Sequence, residues 1–167
     1  MQAAQTSAPS EWELRLRELL PLYGHRNWIV VTDSAFPVQS NPGIETIVAG
    51  GDQIEVVLKL LDAMAACKHI RVNVYADKEM TFIAERDAPG MTEYRKQLDG
   101  ALKGAQMQSI PHEQIIAKLN QAAQLFRVLV IKTDLTIPYT SVFFELDCGY
   151  WSADAEHRMR EAMKAKG

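Results

Sequence analysis

The chain has 167 residues, 47% of them hydrophobic and 23% charged. That is enough apolar material to bury a continuous core without metals or disulfides, and seven prolines with nine glycines are too few for a fibrous or disordered protein. A formal net charge of -3, with no local basic patch, excludes a general attraction for nucleic acid or anionic membranes.

Residues 1–10, rich in Gln, Ala, Ser and Thr, read as a flexible tail, followed by a single domain over 11–167. Ser10 and Glu13 have the spacing of a capping box, so a helix begins there, and Pro21 with Gly24 ends it just before His25. "NWIVVTD" is a short apolar run rich in β-branched residues, the pattern of a buried strand whose exit is Asp33. "SAFPVQSNPG" then leaves the sheet as a loop. "IETIVAGG" reads as a second strand ending at glycines. After it, "DQIEVVLKLLDAMAAC" places Ile54, Val57, Leu58, Leu61 and Met64 at helical spacing behind Asp52 as cap.

Farther on, "IRVNVYA" alternates as a strand, "GMTEYRKQLDGALKG" is a polar helix, and "AQMQSI" is a short strand or extended link. "PHEQIIAKLNQAAQ" has Pro111 in the first turn of a helix. "FRVLVIKTD" and "SVFFELD" complete the strands, joined by "LTIPYT", and "ADAEHRMREAMKA" forms a C-terminal helix. Strands separated by helices imply an α/β three-layer sandwich, a largely parallel central sheet with helices on both faces. No apolar run approaches the span of a bilayer, and the start lacks the basic and apolar regions of a secretory signal, so the expected location is cytoplasmic. Cys67 and Cys148 lack metal-ligand spacing and read as packed free thiols in a reducing compartment.

In open α/β sheets, ligands collect beyond the carboxyl ends of the strands, which makes Asp33 a candidate contact. From position alone, a turn or cap role, bonding nearby amides, is the commoner use of such an Asp. His25 stands before the same strand and has the chemistry to move a proton near neutral pH, or merely to bond a loop carbonyl. His112 opens a helix, where backbone amides favour an anion or the neutral imidazole; the plainer alternative is an exposed first-turn residue. Tyr139, in "IPYTS", combines an apolar face with a hydroxyl donor as sugar sites require, though tyrosine beside proline also serves packing. His69 and His157 have no partner at ligand spacing, so no metal site is expected. Phosphate-loop, dinucleotide-fingerprint and nucleophile-elbow motifs are all missing or incomplete.

Taken in order, "YGHRNWIVVTDSAFP", "PHEQI" and "VLVIKTDLTIPYTSVFFELDCGYW" resemble the ribose pyranase and fucose mutarotase family of bacterial sugar-handling proteins. Gly24, His25, Ile29 to Val31, Asp33 and Pro37 follow that family's N-terminal plan, and Lys132, Thr133, Pro138 and Tyr139 follow its late segment. Asp134 and Leu135 stand where the family commonly has Gly-Glu, and Ser141 where it has Asn. The N-terminal and C-terminal helices are extra to the compact family pattern.

The resemblance implies a cofactor-independent isomerase. Such an enzyme interconverts the anomers, or the pyranose and furanose forms, of a monosaccharide such as ribose or fucose by acid/base ring opening. It also implies a ring-shaped homo-oligomer with sites near subunit boundaries. By resemblance His25 is the proton donor, Asp33 orients sugar hydroxyls, His112 is a second polar contact near the anomeric centre, and Tyr139 and Ser141 bind the sugar. The Leu135 and Ser141 departures motivate the alternative, a noncatalytic sugar-binding or regulatory protein of the same fold.

Overall fold

The structure is a computed structural model and describes residues 8–166; most of the expected tail, residues 1–7, lies outside the described residues. Helix α1 (Glu11–Leu19) opens where Glu13 accepts hydrogen bonds from both the amide and the hydroxyl of Ser10, and a 3-10 turn at Pro21 ends it. Six strands follow, β1 (Trp28–Thr32), β2 (Ile44–Val48), β3 (Ile70–Asp77), β4 (Met107–Ile110), β5 (Val128–Lys132) and β6 (Val142–Cys148). Interleaved with them are α2 (Gln53–Ala65), α3 (Met91–Ala101), α4 (His112–Ala122) and a terminal α5 (Ala153–Lys166).

The strands form one sheet in the order β2-β5-β1-β6-β3-β4. Every neighbouring pair is parallel except those of β6, which runs antiparallel to both β1 and β3. The reason lies in the connection. Residues 133–141 join β5 to β6 without a helix, and a parallel return needs a crossover of roughly a dozen residues or more. The chain therefore passes over the carboxyl end of β1 and re-enters the sheet on its far side, reversed.

β1 is buried along its whole length, which explains a run with no polar alternation: its two side-chain sets face two different cores. Ile29 and Val31, with Leu129, Ile131 and Phe144, meet α1, α2 and α3 on one face. Trp28 and Val30, with Val128, Val130 and Phe143, meet Ile115 and Leu119 of α4 on the other. Burying each such side chain contributes about 1.5–3 kcal/mol, and together they hold the strand ends rigid.

Two local expectations shift. The buried face of α2 is Gln53, Val56, Val57, Leu60 and Met64, while Leu58 is 44% exposed. A polar residue thus leads the inward stripe. Pro111 caps α4 rather than entering its first turn, so the helix begins at His112. Asp52 caps α2 as expected, accepting from the Glu55 amide at 3.0 Å.

Candidate functional site

A cavity of about 480 Å³ opens at the carboxyl edge of the sheet, lined by Asp33, Asp77, His112, Tyr139 and Ser141 together with apolar Phe36 and Ile137. The fold accounts for this convergence. Asp33 follows β1, Asp77 ends β3, and His112 begins the helix that follows β4. Because β6 is reversed, its amino end lies at the same edge and brings Ser141, with the loop that carries Tyr139. A bond from the Ser34 amide to the Leu135 carbonyl, 2.8 Å, ties that loop to the segment leaving β1.

A buried polar network holds the loop from beneath. Gln53 Nε2 donates to the Thr140 carbonyl at 2.6 Å and to the Tyr94 hydroxyl at 2.8 Å, and Tyr94 donates to the same carbonyl at 2.6 Å. Thr133 Oγ1 lies 2.9 Å from the Thr32 carbonyl and 3.0 Å from Gln53 Oε1. Burial pushes the Tyr94 phenol well up in pKa, so it stays a donor. Above this network Tyr139 takes a left-handed backbone with φ of 55°, a strained conformation for a non-glycine residue and one that collects at ligand sites. Its ring meets His112 edge-on, centroids 5.4 Å apart.

The acid behind His112 was not legible beforehand. Asp77 is 0% exposed, with Oδ1 3.0 Å from His112 Nδ1 and Oδ2 buried without a partner. Burial raises its carboxyl pKa, and the bond to His112 pulls the other way without cancelling the effect. Glu79 accepts from the His112 backbone amide at 3.0 and 3.1 Å. In the sequence Asp77 opens a charged "DKE" run that reads as a solvated turn, and only its place in the sheet buries it.

Asp33, His112, Tyr139 and Ser141 therefore meet in one cavity. Asp33 also plays the turn role, its Oδ1 accepting from the Ala35 amide at 2.9 Å. His25 lies elsewhere, in the turn before β1, while Asp33 follows the far end of that five-residue strand, whose rise alone is roughly 17 Å. Its side chain is 57% exposed and its Nδ1 lies 2.8 Å from Asp147 Oδ1, while Arg71 holds Oδ2 at 2.5 and 3.0 Å. This second cavity is lined by His25, Arg71, Asp147, Trp151 and Arg160 among others.

The first cavity has a definite chemical bias. No lysine or arginine lines it among the described residues, so no permanently charged cation there would meet a phosphate or carboxylate. The Asp33 carboxyl, an imidazole, a phenol and a hydroxyl beside apolar walls suit a neutral, hydroxyl-bearing ligand.

Fold and cavity together define a three-layer α/β protein whose cavity straddles the carboxyl edge of a mixed sheet. The chain belongs to the RbsD / FucU transport protein family, whose sequence profile matches residues 13–148. The RbsD of Bacillus subtilis, solved with D-ribose, is 17% identical and superposes with a TM-score of 0.59 over 88% of this chain and 98% of its own. A fucose mutarotase of Streptococcus pneumoniae, solved with L-fucose, is 16% identical with a TM-score of 0.52, over 80% and 91% of the two chains. FucU from Bifidobacterium longum is likewise 16% identical, with a TM-score of 0.53 over 80% and 92%. No curated protein matches the sequence. Among the described residues, no helix is long and apolar enough to cross a membrane.

Proposed function

We propose that the protein is a cofactor-independent monosaccharide mutarotase or pyranase acting on a free sugar such as ribose or fucose in the cytoplasm. One observation carries the reading: Asp33, His112, Tyr139 and Ser141, drawn from distant parts of the chain, converge on a cavity that no lysine or arginine lines among the described residues. Opening a hemiacetal needs a proton delivered to the ring oxygen and one removed from the anomeric hydroxyl; closing on the other face, or on another hydroxyl, reverses both transfers. A positioned acid or base contributes about 10²- to 10⁴-fold to such a step.

In this reading Asp33, Tyr139 and Ser141 hold the sugar and His25 is the proton donor. Since His25 and the cavity occupy opposite ends of β1, the donor comes from a neighbouring copy in a ring-shaped homo-oligomer, with each site at a subunit boundary. Exchange spectroscopy by NMR on a panel of monosaccharides tests this, with His25→Ala and Asp33→Ala measured alone and mixed. Each variant alone should be inactive. Mixed oligomers should recover part of the activity, because some boundaries then pair an intact donor with an intact cavity. Acceleration of no sugar removes the proposal, and undiminished acceleration by His25→Ala removes the donor role.

The distance between His25 and the cavity also favours a second reading, a sugar-binding or regulatory protein that has a pocket but no turnover. Calorimetric binding of a sugar whose exchange rate the protein leaves unchanged would select it.

A further inference from the structure

Asp77 is the one carboxylate or cationic side chain that is fully buried among the described residues, and its only side-chain partner there is His112. A carboxylate out of water is costly unless it is paired and hydrogen-bonded. Its Oδ2 is shielded from solvent and unpartnered, so Asp77 is not placed to hold a ligand by that atom. What reaches the open cavity is the imidazole, 31% exposed against 0% for the acid. We propose that Asp77 is a positioning residue that keeps the His112 proton on Nδ1, presents Nε2 to the cavity as a proton acceptor, and so makes His112 the second proton-transfer group of ring opening. The inference rests on the mutarotase reading for its chemistry, but its geometry stands apart from it.

A neutral imidazole has one N–H and one bare nitrogen, and the partner of one ring nitrogen decides the role of the other. Here Nδ1 faces Asp77, and Nε2 has no protein partner among the described residues. The proton on the anomeric hydroxyl passes to Nε2. The electron pair left on that oxygen forms the carbonyl as the bond from the anomeric carbon to the ring oxygen breaks, and the ring oxygen takes a proton from the donor. The imidazolium so formed keeps Nδ1–H toward the Asp77 carboxylate. In closure a sugar hydroxyl attacks the carbonyl carbon and gives its proton back to the donor, while the carbonyl π bond breaks and its oxygen takes the Nε2 proton.

The groups facing this imidazole divide by sign. His112 is the first residue of α4, where the helix end disfavours a cation. Asp77 from β3, Glu79 bonded to the His112 amide, and Asp33 from the loop after β1, whose charge is felt at Asp77, all favour one. Asp77 alone touches the ring by a hydrogen bond, so it sets the tautomer.

The deciding measurement is the ring-nitrogen NMR spectrum of His112 in the isotope-labelled full-length protein near neutral pH. A proton on Nδ1 with bare Nε2 is expected; a proton on Nε2 with bare Nδ1 overturns the proposal whatever the activity, and needs no variant. Asp77→Asn, nearly the same size and uncharged, is then assayed on the sugars the wild type accelerates. The expected result is a kcat lower by about 10- to 100-fold, KM within about twofold of wild type, and an acid limb displaced to lower pH. An unchanged kcat and pH profile overturns the role of Asp77. A wild type that accelerates no sugar removes the mutarotase reading and leaves the tautomer to decide on Asp77.

Discussion

Removing the amide of Gln53 is the most direct perturbation of the scaffold under the cavity. The side chain is 1% exposed and makes three bonds, to the Thr140 carbonyl, the Tyr94 hydroxyl and Thr133 Oγ1. In Gln53→Ala no partner is wholly orphaned, because Tyr94 still reaches the Thr140 carbonyl and Thr133 still reaches the Thr32 carbonyl. Each lost bond then costs the net value of a neutral pair, about 0.5–1 kcal/mol, and the emptied volume adds about 1 kcal/mol. The sum is about 3 kcal/mol. At about 2–4 °C per kcal/mol for a chain of this size, the melting temperature should fall by about 6–12 °C. Gln53→Leu fills the space and should lose only the hydrogen-bond part, about 2 kcal/mol. Thermal unfolding followed by circular dichroism reads both. A melting temperature for Gln53→Ala within about 2 °C of wild type would refute the claim that this network secures the loop.

Asp147 gives a prediction in pH. Burial alone would raise its carboxyl, but Arg71, the Cys148 amide and His25 outweigh it and hold the carboxyl below the usual range. A carboxylate whose folded pKa lies below its unfolded value, about 3.9, adds stability above that pH and loses it as pH falls through the folded value. Asp147→Asn should therefore melt lower than wild type at about pH 6 and show a shallower decline below about pH 4; parallel curves would contradict the pairing. Tyr139→Gly relieves a left-handed conformation that costs about 1–2 kcal/mol while adding unfolded-chain freedom. Its melting temperature should stay close to wild type while sugar affinity, by NMR titration, falls at least about tenfold; unchanged affinity would remove Tyr139 from the site. At Gly43 an added Cβ would lie 2.1 Å from the Ala123 carbonyl oxygen. Because that neighbour is backbone, Gly43→Ala should cost near the top of the overpacking range, about 3 kcal/mol, and an unchanged urea midpoint would show that the turn yields freely.

Much of the fold was legible along the chain because its signals are local. Strand and helix order, the Ser10–Glu13 and Asp52 caps, and Asp33 at the exit of a doubly buried strand all follow from periodicity, β-branching and short-range hydrogen bonding. The separation of His25 from Asp33 does not, since His25 and Arg26 form a turn before β1 whose direction no local pattern fixes. Gln53 was not legible: a polar residue in the first turn of a helix resembles any solvated one, and it is inward only because the Thr133–Ser141 connection lies above it. Asp77 was missed for the same kind of reason, its charged neighbours imitating a surface turn.

What the amino-acid sequence determined by itself was which segments are strands and helices and which polar groups stand at their ends. What tertiary structure alone decided was the meeting of those ends. The 133–141 connection is too short for a helical crossover, so β6 enters reversed between β1 and β3 and delivers Tyr139 and Ser141 beside Asp33. With β3 and β4 as neighbours, Asp77 comes to lie behind His112. Strand pairing joins residues far apart in sequence and depends on how two cores pack at once, so no local pattern encodes it.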